Sequence, residues 1–201
     1  MRIFLETERL ILRYFTREDS HLLYELDQDP EVMRYINGGH PVELSYIQEN
    51  FLPKLLKFYD YYEHYGIWAT VEKSSGDFIG WFHLMPATDS NFAVELNLVT
   101  SEEMALGYRL RQASWGKGYA TEGSRMLMKK GFGEWGVKRI VAWALVANKP
   151  SIRVMEKVGL KFERKFGFEP HQLPNFARPE ERKAVKYGCD REEFLEECIG
   201  D

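Results

Sequence analysis

Two glycines, Gly116 and Gly118, stand between a predicted strand and a predicted helix near the middle of the chain. Glycine lets the backbone turn with its N–H groups pointing inward and with no side chain in the way. The free N–H groups at the start of a helix add partial positive charge. This arrangement of residues suits a bound anion, and a diphosphate in particular.

Two well-known phosphate-binding loops fit this segment poorly. A Walker A loop needs Ser or Thr after its Lys, whereas Gly118 follows Lys117. A dinucleotide-binding fingerprint needs a third small residue, where this chain has Thr121. That fingerprint also follows the first strand of a βαβ unit, whereas this segment follows predicted hairpins in the middle of the chain. On loop chemistry alone, a glycine turn that binds nothing remains an alternative.

Composition narrows the functional classes. The chain has 201 residues, of which 44% are hydrophobic, so it is long enough to bury a core as one globular domain. The 27 basic and 31 acidic residues give a net charge of −4, which argues against a nucleic-acid partner. Cys189 and Cys198 form neither a disulfide framework nor a zinc pattern, and no metal site is expected. Without a signal peptide or an apolar span, the sequence predicts a soluble, cytoplasmic protein with no membrane partner.

Hydrophobic periodicity predicts the elements that position the glycine segment. Their order is β-α-α-α-β-β-β-α-β-α-β-β, which indicates an α/β (α+β) protein with a sheet of mixed direction. The predicted strands cover 8–14, 66–71, 78–85, 104–110, 139–146, 160–166 and 182–187; the predicted helices cover 16–26, a short helix from Asp29, 42–62, 120–132 and 151–158. A long polar loop is predicted over 86–100, and the charged tail from Asp190 could form a short helix.

The glycine segment resembles motif A of the GCN5-related N-acetyltransferases (GNAT), which ends in Q/R-x-x-G-x-G/A. Gly118 and Ala120 match the motif, whereas Trp115 stands where the family has Gln or Arg. W-G-K-G-Y-A-T-E at 115–122 is similar to the RimJ/RimL-type branch of that family. Three further blocks resemble the same branch: T-E-R-L-I-L-R at 7–13, D-P-E-V-M at 29–33 and N-K-P-S-I-R-V-M-E-K-V-G-L at 148–160.

The resemblance implies a fold and a domain organisation. It implies a mixed, mostly antiparallel central sheet with splayed strands and flanking helices. It also implies a single acetyltransferase domain over 1–201, with its core at about 7–188 and a C-terminal tail at 189–201.

The resemblance also implies a cosubstrate, acetyl-CoA, and the residues that hold it. The pantetheine arm would pair with the backbone of Tyr108, Arg109 and Leu110, with Arg111 leading into the loop. Asn148 matches the family asparagine that helps to orient the cofactor arm, and it could equally be a helix N-cap. The diphosphate would bind to the backbone of Gly116, Lys117, Gly118, Tyr119, Ala120 and Thr121.

The catalytic residues are less well marked in the sequence. Ser151 matches the serine that RimL-like enzymes use near the departing sulfur, although a serine in a first helical turn is commonly a cap. Met155 stands where many relatives have a tyrosine acid. Glu102 is a candidate general base if the strand reaches it, and an exposed loop glutamate otherwise. His83 is a second candidate base.

The reaction implied is direct attack of a primary amine on the acetyl thioester, with a protein N-terminus or a small amine as acceptor. A non-catalytic CoA-binding sensor is the alternative, and a nucleotide-binding oxidoreductase is a weaker one. The sequence does not decide between a monomer and a homodimer. It also leaves open whether 86–100 or the tyrosine-rich segment 59–65 lines an acceptor site.

Overall fold

The computed structural model describes the backbone of residues 1–199 and the side chains of residues 1–196. The predicted lack of a disulfide partner for Cys198 therefore lies outside the described side chains. The chain forms two compact units, one made of 1–84 and 107–123 and the other of 85–106 and 124–201. The strands are β1 (Ile3–Glu6), β2 (Leu10–Arg13), β3 (Gly66–Glu72), β4 (Phe78–Pro86), β5 (Glu103–Leu110), β6 (Arg139–Leu145), β7 (Lys161–Gly167) and β8 (Lys183–Asp190). The helices are α1 (Ser20–Gln28), α2 (Pro30–Asn37), α3 (Leu44–Tyr46), α4 (Leu52–Tyr61), α5 (Asn91–Glu95), α6 (Tyr119–Gly133), α7 (Lys149–Lys157) and α8 (Arg191–Ile199).

The strands form a mixed, mostly antiparallel sheet in the order β1-β2-β3-β4-β5-β6-β8-β7. Strands β5 and β6 are parallel, because helix α6 carries the chain back between them. Their ladder runs from Glu103 opposite Arg139 to Ala105 opposite Val141. The pairs β1–β2, β2–β3, β3–β4, β6–β8 and β7–β8 are antiparallel. This architecture confirms the predicted fold class.

The first unit begins with a strand that periodicity did not predict. Strand β1 pairs with β2 and presents Leu5 to the core. Phe4 stacks on Trp68 with ring centroids 4.0 Å apart. Four residues are too few to show a clear alternation, so long-range pairing decides this element. In β2 the predicted alternation holds, since Leu10 and Leu12 are fully buried.

The helices of the first unit begin close to the predicted positions: a 3₁₀ turn over Arg17–Asp19 precedes α1, and α3 begins two residues after Val42. Thr16 and Asp19 form a capping box, in which the Thr16 N–H donates to Asp19 Oδ2 over 2.8 Å. The predicted helix over 42–62 is divided into α3, a π-helical turn over Ile47–Phe51, and α4. Pro53 lies two residues after that turn and lacks the N–H that a regular helix would use, which accounts for the irregular turn.

The prediction of a polar loop over 86–100 is wrong in part. This segment contains a 3₁₀ turn over Ala87–Asp89 and the short helix α5. Ala93 is fully buried, and Phe92 packs edge-on against Trp143 at 5.1 Å between ring centroids. Burial of Ala93 and the ring contact between Phe92 and Trp143 organise a segment whose average composition is polar.

Helix α7 begins at Lys149, two residues earlier than predicted, because Pro150 can occupy a first helical turn. The predicted helix in the tail is present as α8. In the described part of the chain, the helices are all too short or too polar to cross a membrane.

Candidate active site

The glycine loop links the end of β5 to the start of α6 in the first unit. After a 3₁₀ turn over Gln112–Ser114, Gly116 and Gly118 adopt φ angles of 73° and 84°, a region that favours glycine. The first bond of α6 runs from the Glu122 N–H to the Gly118 carbonyl over 3.0 Å. The amides before that bond, in the first turn of α6, have no acceptor within the helix. A Cβ atom at Gly116 would meet nothing within 4 Å, so the loop is open there and fits an anion.

Trp115 occupies the position where the family motif has Gln or Arg. Its indole Nε1–H donates to the Leu110 carbonyl over 2.8 Å, while 46% of the residue stays exposed. The bond closes the turn at the end of β5. The indole thus links the loop to the end of the strand through a side-chain-to-backbone hydrogen bond.

The two edges of β5 differ near its end. The Arg111 N–H donates to the Ile79 carbonyl over 2.8 Å, and the Arg109 carbonyl lies against Gly80 of β4. Because backbone groups alternate along a strand, those of Tyr108 and Leu110 point to the edge opposite β4. Of the backbone partners predicted for the pantetheine arm, Arg109 therefore faces β4. Tyr108 and Leu110 lie on the edge that faces away from β4.

The side chains of Arg109 and Arg111 both turn toward helix α1. Arg109 Nη1 lies 2.5 Å from Asp27 Oδ1, and this ion pair is largely buried. Arg111 Nη2 lies 2.7 Å from Glu25 Oε2 at a more exposed position. Both guanidinium charges are therefore engaged within the first unit. A direct role for either side chain in holding CoA stays a prediction.

The N-terminal T-E-R-L motif contacts the glycine loop. Arg9 Nη1 donates to the Lys117 carbonyl over 2.9 Å, and Arg9 Nε donates to Glu122 Oε2 over 2.6 Å. Thr7 Oγ1 donates to Glu122 Oε1 over 2.5 Å. Burial opposes ionisation of Glu122, but these hydrogen bonds and the Arg9 charge prevail and lower its pKa.

Sequence reasoning missed this role for Thr7, Arg9 and Glu122. The two motifs that contain them were recognised separately as parts of one family pattern. Nothing local in either motif indicates that they touch, since more than a hundred residues separate them.

In the second unit, the structure distinguishes Asn148 from Ser151. The Asn148 side chain accepts a hydrogen bond from the Ser151 N–H over 3.2 Å and caps α7. Ser151 is therefore not the N-cap of α7, and a chemical role for its hydroxyl stays a prediction. Met155, where many relatives have a tyrosine acid, is buried.

Glu102 lies in the turn before β5, and the strand begins one residue later at Glu103. Its carboxylate is exposed and forms an ion pair with Lys138. Because Glu102 lies outside the strand, it does not share a strand face with Met104. A role for Glu102 as general base stays a prediction.

His83 projects from β4 toward β5 within the first unit. A Cβ atom added at Gly107 would come within 2.1 Å of His83 Nε2, so the imidazole fits only beside a glycine. Burial, aided by the charge of Arg109, lowers the pKa of His83 from 6.5 to about 4. His83 is therefore neutral at physiological pH and a weaker base than an ordinary histidine. In the described part of the chain, no three His, Cys, Asp or Glu side chains are grouped to hold a metal ion.

Tyr59 belongs to the tyrosine-rich segment that the sequence left open as an acceptor-site candidate. Its hydroxyl bonds to the Ile67 carbonyl and accepts the Phe15 N–H over 3.2 Å. Burial raises the pKa of Tyr59. The hydroxyl therefore joins the helix to the sheet in the first unit.

Comparison with known proteins identifies the class to which this fold and loop belong. A family model described as "Acetyltransferase (GNAT) domain" matches residues 9–161. The chain therefore belongs to the GNAT family of N-acetyltransferases. Among curated proteins it is similar to the FsC-acetyl coenzyme A-N(2)-transacetylase of Aspergillus fumigatus, with 30% identity over 95% of this chain and 77% of that protein.

Solved structures show the same fold. A GNAT-family acetyltransferase from Bacillus anthracis is 25% identical and superposes with a TM-score of 0.73, covering 94% of this chain and 99% of that chain. The aminoglycoside acetyltransferase AAC(6')-Ib, solved in complex with coenzyme A, is 21% identical with a TM-score of 0.70, covering 93% of this chain and 98% of that chain.

Proposed function

We propose that this protein transfers the acetyl group of acetyl-CoA to the primary amine of a small molecule. The observation that carries the proposal is the open glycine loop, whose left-handed Gly116 and Gly118 place backbone amides at the start of α6. Membership of the GNAT family and the coenzyme A named for its relatives agree with this ligand.

Within the first unit, the chain would hold acetyl-CoA through its backbone. The amides of residues 116–121 would bind the diphosphate, with Lys117 adding a charge-assisted contact. The Tyr108 and Leu110 edge of β5 would pair with the pantetheine arm. An N–H group on that edge would donate to the thioester oxygen as negative charge develops there. Acetyl-CoA itself supplies the activated acetyl group.

The acceptor amine must lose a proton before it attacks, because alkyl amines are mostly protonated at pH 7. We propose Glu102 as the base, acting from the turn before β5, where its carboxylate is exposed to solvent, with His83 as the competing candidate. Glu102→Gln is expected to lower turnover about a hundredfold or more, as loss of a general base does. Lys138→Gln is the control, since it removes the ion-pair partner of Glu102 and leaves the carboxylate. Normal turnover in Glu102→Gln with loss in His83→Gln would assign the base to His83.

We propose that Ser151 passes its hydroxyl proton to the departing thiolate and regains a proton from water. With helix capping assigned to Asn148, Ser151→Ala should leave α7 intact and lower turnover about a hundredfold, with unchanged affinity for CoA. Ser151→Thr keeps the hydroxyl and should restore most of the rate. Steady-state kinetics and CoA calorimetry on both variants test this role. A Ser151→Ala enzyme with the parental rate and pH profile would remove it.

A small-molecule acceptor is favoured by the names of the relatives, an FsC transacetylase and an aminoglycoside acetyltransferase. The RimJ/RimL-like motifs instead favour a protein N-terminus as acceptor. We propose membership of the RimJ/RimL-type branch on these sequence motifs alone, and a small-molecule acceptor on the names of the relatives. Thiol release from acetyl-CoA should be measured with a panel of polyamines, aminoglycosides and N-terminal peptides. Release with peptides only would reject the small-molecule acceptor.

The same panel separates an enzyme from a sensor. Calorimetry should first show that the protein binds acetyl-CoA. Binding without thiol release under any amine would support the non-catalytic CoA sensor. Absence of binding by folded protein would overturn the proposed function.

A further inference from the structure

We propose that Arg9 is a positioning residue for the diphosphate, because it holds the Lys117–Gly118 peptide in one orientation. The inference rests on the proposed binding of acetyl-CoA. Arg9 Nη1 donates to the Lys117 carbonyl over 2.9 Å, and Arg9 Nη2 lies 3.4 Å from the place of a Cβ atom on Gly118. The guanidinium therefore lies directly beside the turn of the loop.

The geometry of a trans peptide turns this contact into an orientation. In a planar trans peptide, the carbonyl and the following N–H point in opposite directions. Since the Lys117 carbonyl points at Arg9, the Gly118 N–H must point away from Arg9. Arg9 thus fixes the direction of the Gly118 N–H, an amide that we propose as a donor to the diphosphate.

The loop needs such a restraint because it is rich in glycine. Gly116 and Gly118 flank Lys117, and glycine tolerates both positive and negative φ. The Lys117–Gly118 peptide can therefore rotate at little steric expense. A rotated peptide would offer its carbonyl oxygen to the diphosphate, and the two groups would repel each other.

Arg9 is itself held from several sides. Glu122 accepts from Arg9 Nε over 2.6 Å and from the Arg9 N–H over 2.9 Å. The guanidinium carbon lies 4.7 Å from the centroid of the Tyr119 ring. Tyr119 in turn bonds through its hydroxyl to Glu72. The fork of Arg9 can reach Glu122 and the Lys117 carbonyl together, whereas a lysine ammonium is a single point charge.

The test compares ligands that contain or lack the diphosphate. In Arg9→Gln, the dissociation constants of CoA and of dephospho-CoA should both rise about ten- to a hundredfold, the range expected for loss of a charge-assisted hydrogen bond. Binding of pantetheine, which has no phosphate, should stay unchanged. Titration calorimetry measures the first two ligands, and ligand-observed NMR measures pantetheine. The amide resonance of Gly118 should also shift or broaden in the free variant, because its peptide is no longer held.

Arg34→Gln is the matched control. It removes the same charge from an exposed ion pair with Glu31 on α2 and should leave CoA affinity unchanged. Arg9→Lys keeps the charge and should still weaken CoA, which provides a second folded variant if Arg9→Gln unfolds.

The outcomes distinguish this inference from the proposed function. If the parental protein fails to bind CoA, the proposed function is wrong. If it binds CoA and the Arg9 variants bind it equally well, Arg9 has no positioning role. An equal loss for pantetheine would indicate general damage to the protein. A loss confined to CoA and absent with dephospho-CoA would mean contact with the 3′-phosphate, which also overturns the proposal.

Discussion

At the scale of single residues, Gly118 shows how one φ angle connects to binding. Gly118→Ala should weaken CoA binding about tenfold or more, because alanine disfavours a φ of +84° and would shift the loop amides that we propose hold the diphosphate. Gly76→Ala is the control, since its φ is +76° and nothing lies within 4 Å. Both variants should lose about 1 kcal/mol of stability from backbone strain, and only Gly118→Ala should lose affinity. Calorimetry together with chemical unfolding separates the two effects.

His83 predicts a pH dependence of stability. Its pKa falls from 6.5 to about 4 on folding because the ring is buried near Arg109. Between these values the unfolded chain binds a proton that the folded chain does not, so stability is lost as the pH falls through this window. The slope should reach about 1.4 kcal/mol per pH unit.

Urea unfolding of the parental protein and His83→Gln, from about pH 7.5 to about pH 4.5, tests this dependence. The variant should lose the slope. Asp19 and Glu122 have lowered pKa values, so their contribution is lost at more acidic pH. Equal slopes in both proteins would show that His83 is not the group responsible.

At the scale of elements, α6 packs on the sheet through a glycine. A Cβ atom at Gly123 would lie 2.4 Å from Cζ of Phe82, which is fully buried, so the helix or the ring would have to shift within the packed core. Gly123→Ala should therefore destabilise the protein by about 1–3 kcal/mol. Gly133, at the end of the same helix, has nothing within 4 Å of its Cβ position. Gly133→Ala should change stability little or raise it by up to about 1 kcal/mol, because alanine favours helix. Urea unfolding measures both, and similar values would contradict the packing argument.

At the scale of the whole molecule, a buried charge cluster joins four strands of the second unit. Lys186 Nζ of β8 lies 2.9 Å from Glu103 Oε1 of β5 and 3.2 Å from Glu163 Oε2 of β7. Arg139 of β6 approaches the same Glu103 oxygen over 3.2 Å. Lys186 also donates to the Leu98 carbonyl over 2.7 Å. Each charge is compensated, so removal of one member leaves a buried charge without its partner.

Lys186→Met should lower the free energy of unfolding by about 3–5 kcal/mol, since it leaves Glu103 buried with reduced compensation. Lys138→Met removes an exposed partner of Glu102 and should change the free energy of unfolding by at most about 1 kcal/mol. Chemical denaturation of both variants checks the contrast. A small effect for Lys186→Met would show that water or rearrangement replaces the lost partner.

The sequence by itself determined the features that depend on neighbours along the chain. Alternation identified β2, a continuous apolar run identified β6, and helical spacing identified the long helix region over 42–62, because these patterns are set by local backbone geometry. The sequence also predicted the glycine loop, since the conformations of Gly116 and Gly118 are local properties. The family motifs added acetyl-CoA as the ligand to expect.

Only the tertiary structure decided which distant residues meet. It brought Arg9 onto Glu122 and the Lys117 carbonyl, and it left Glu102 exposed beside the buried Glu103. It also ordered β1 and α5, whose sequences carry little periodic signal. The physical reason is that partner choice depends on long-range packing and on the burial of charge, and neither leaves a regular spacing in the chain.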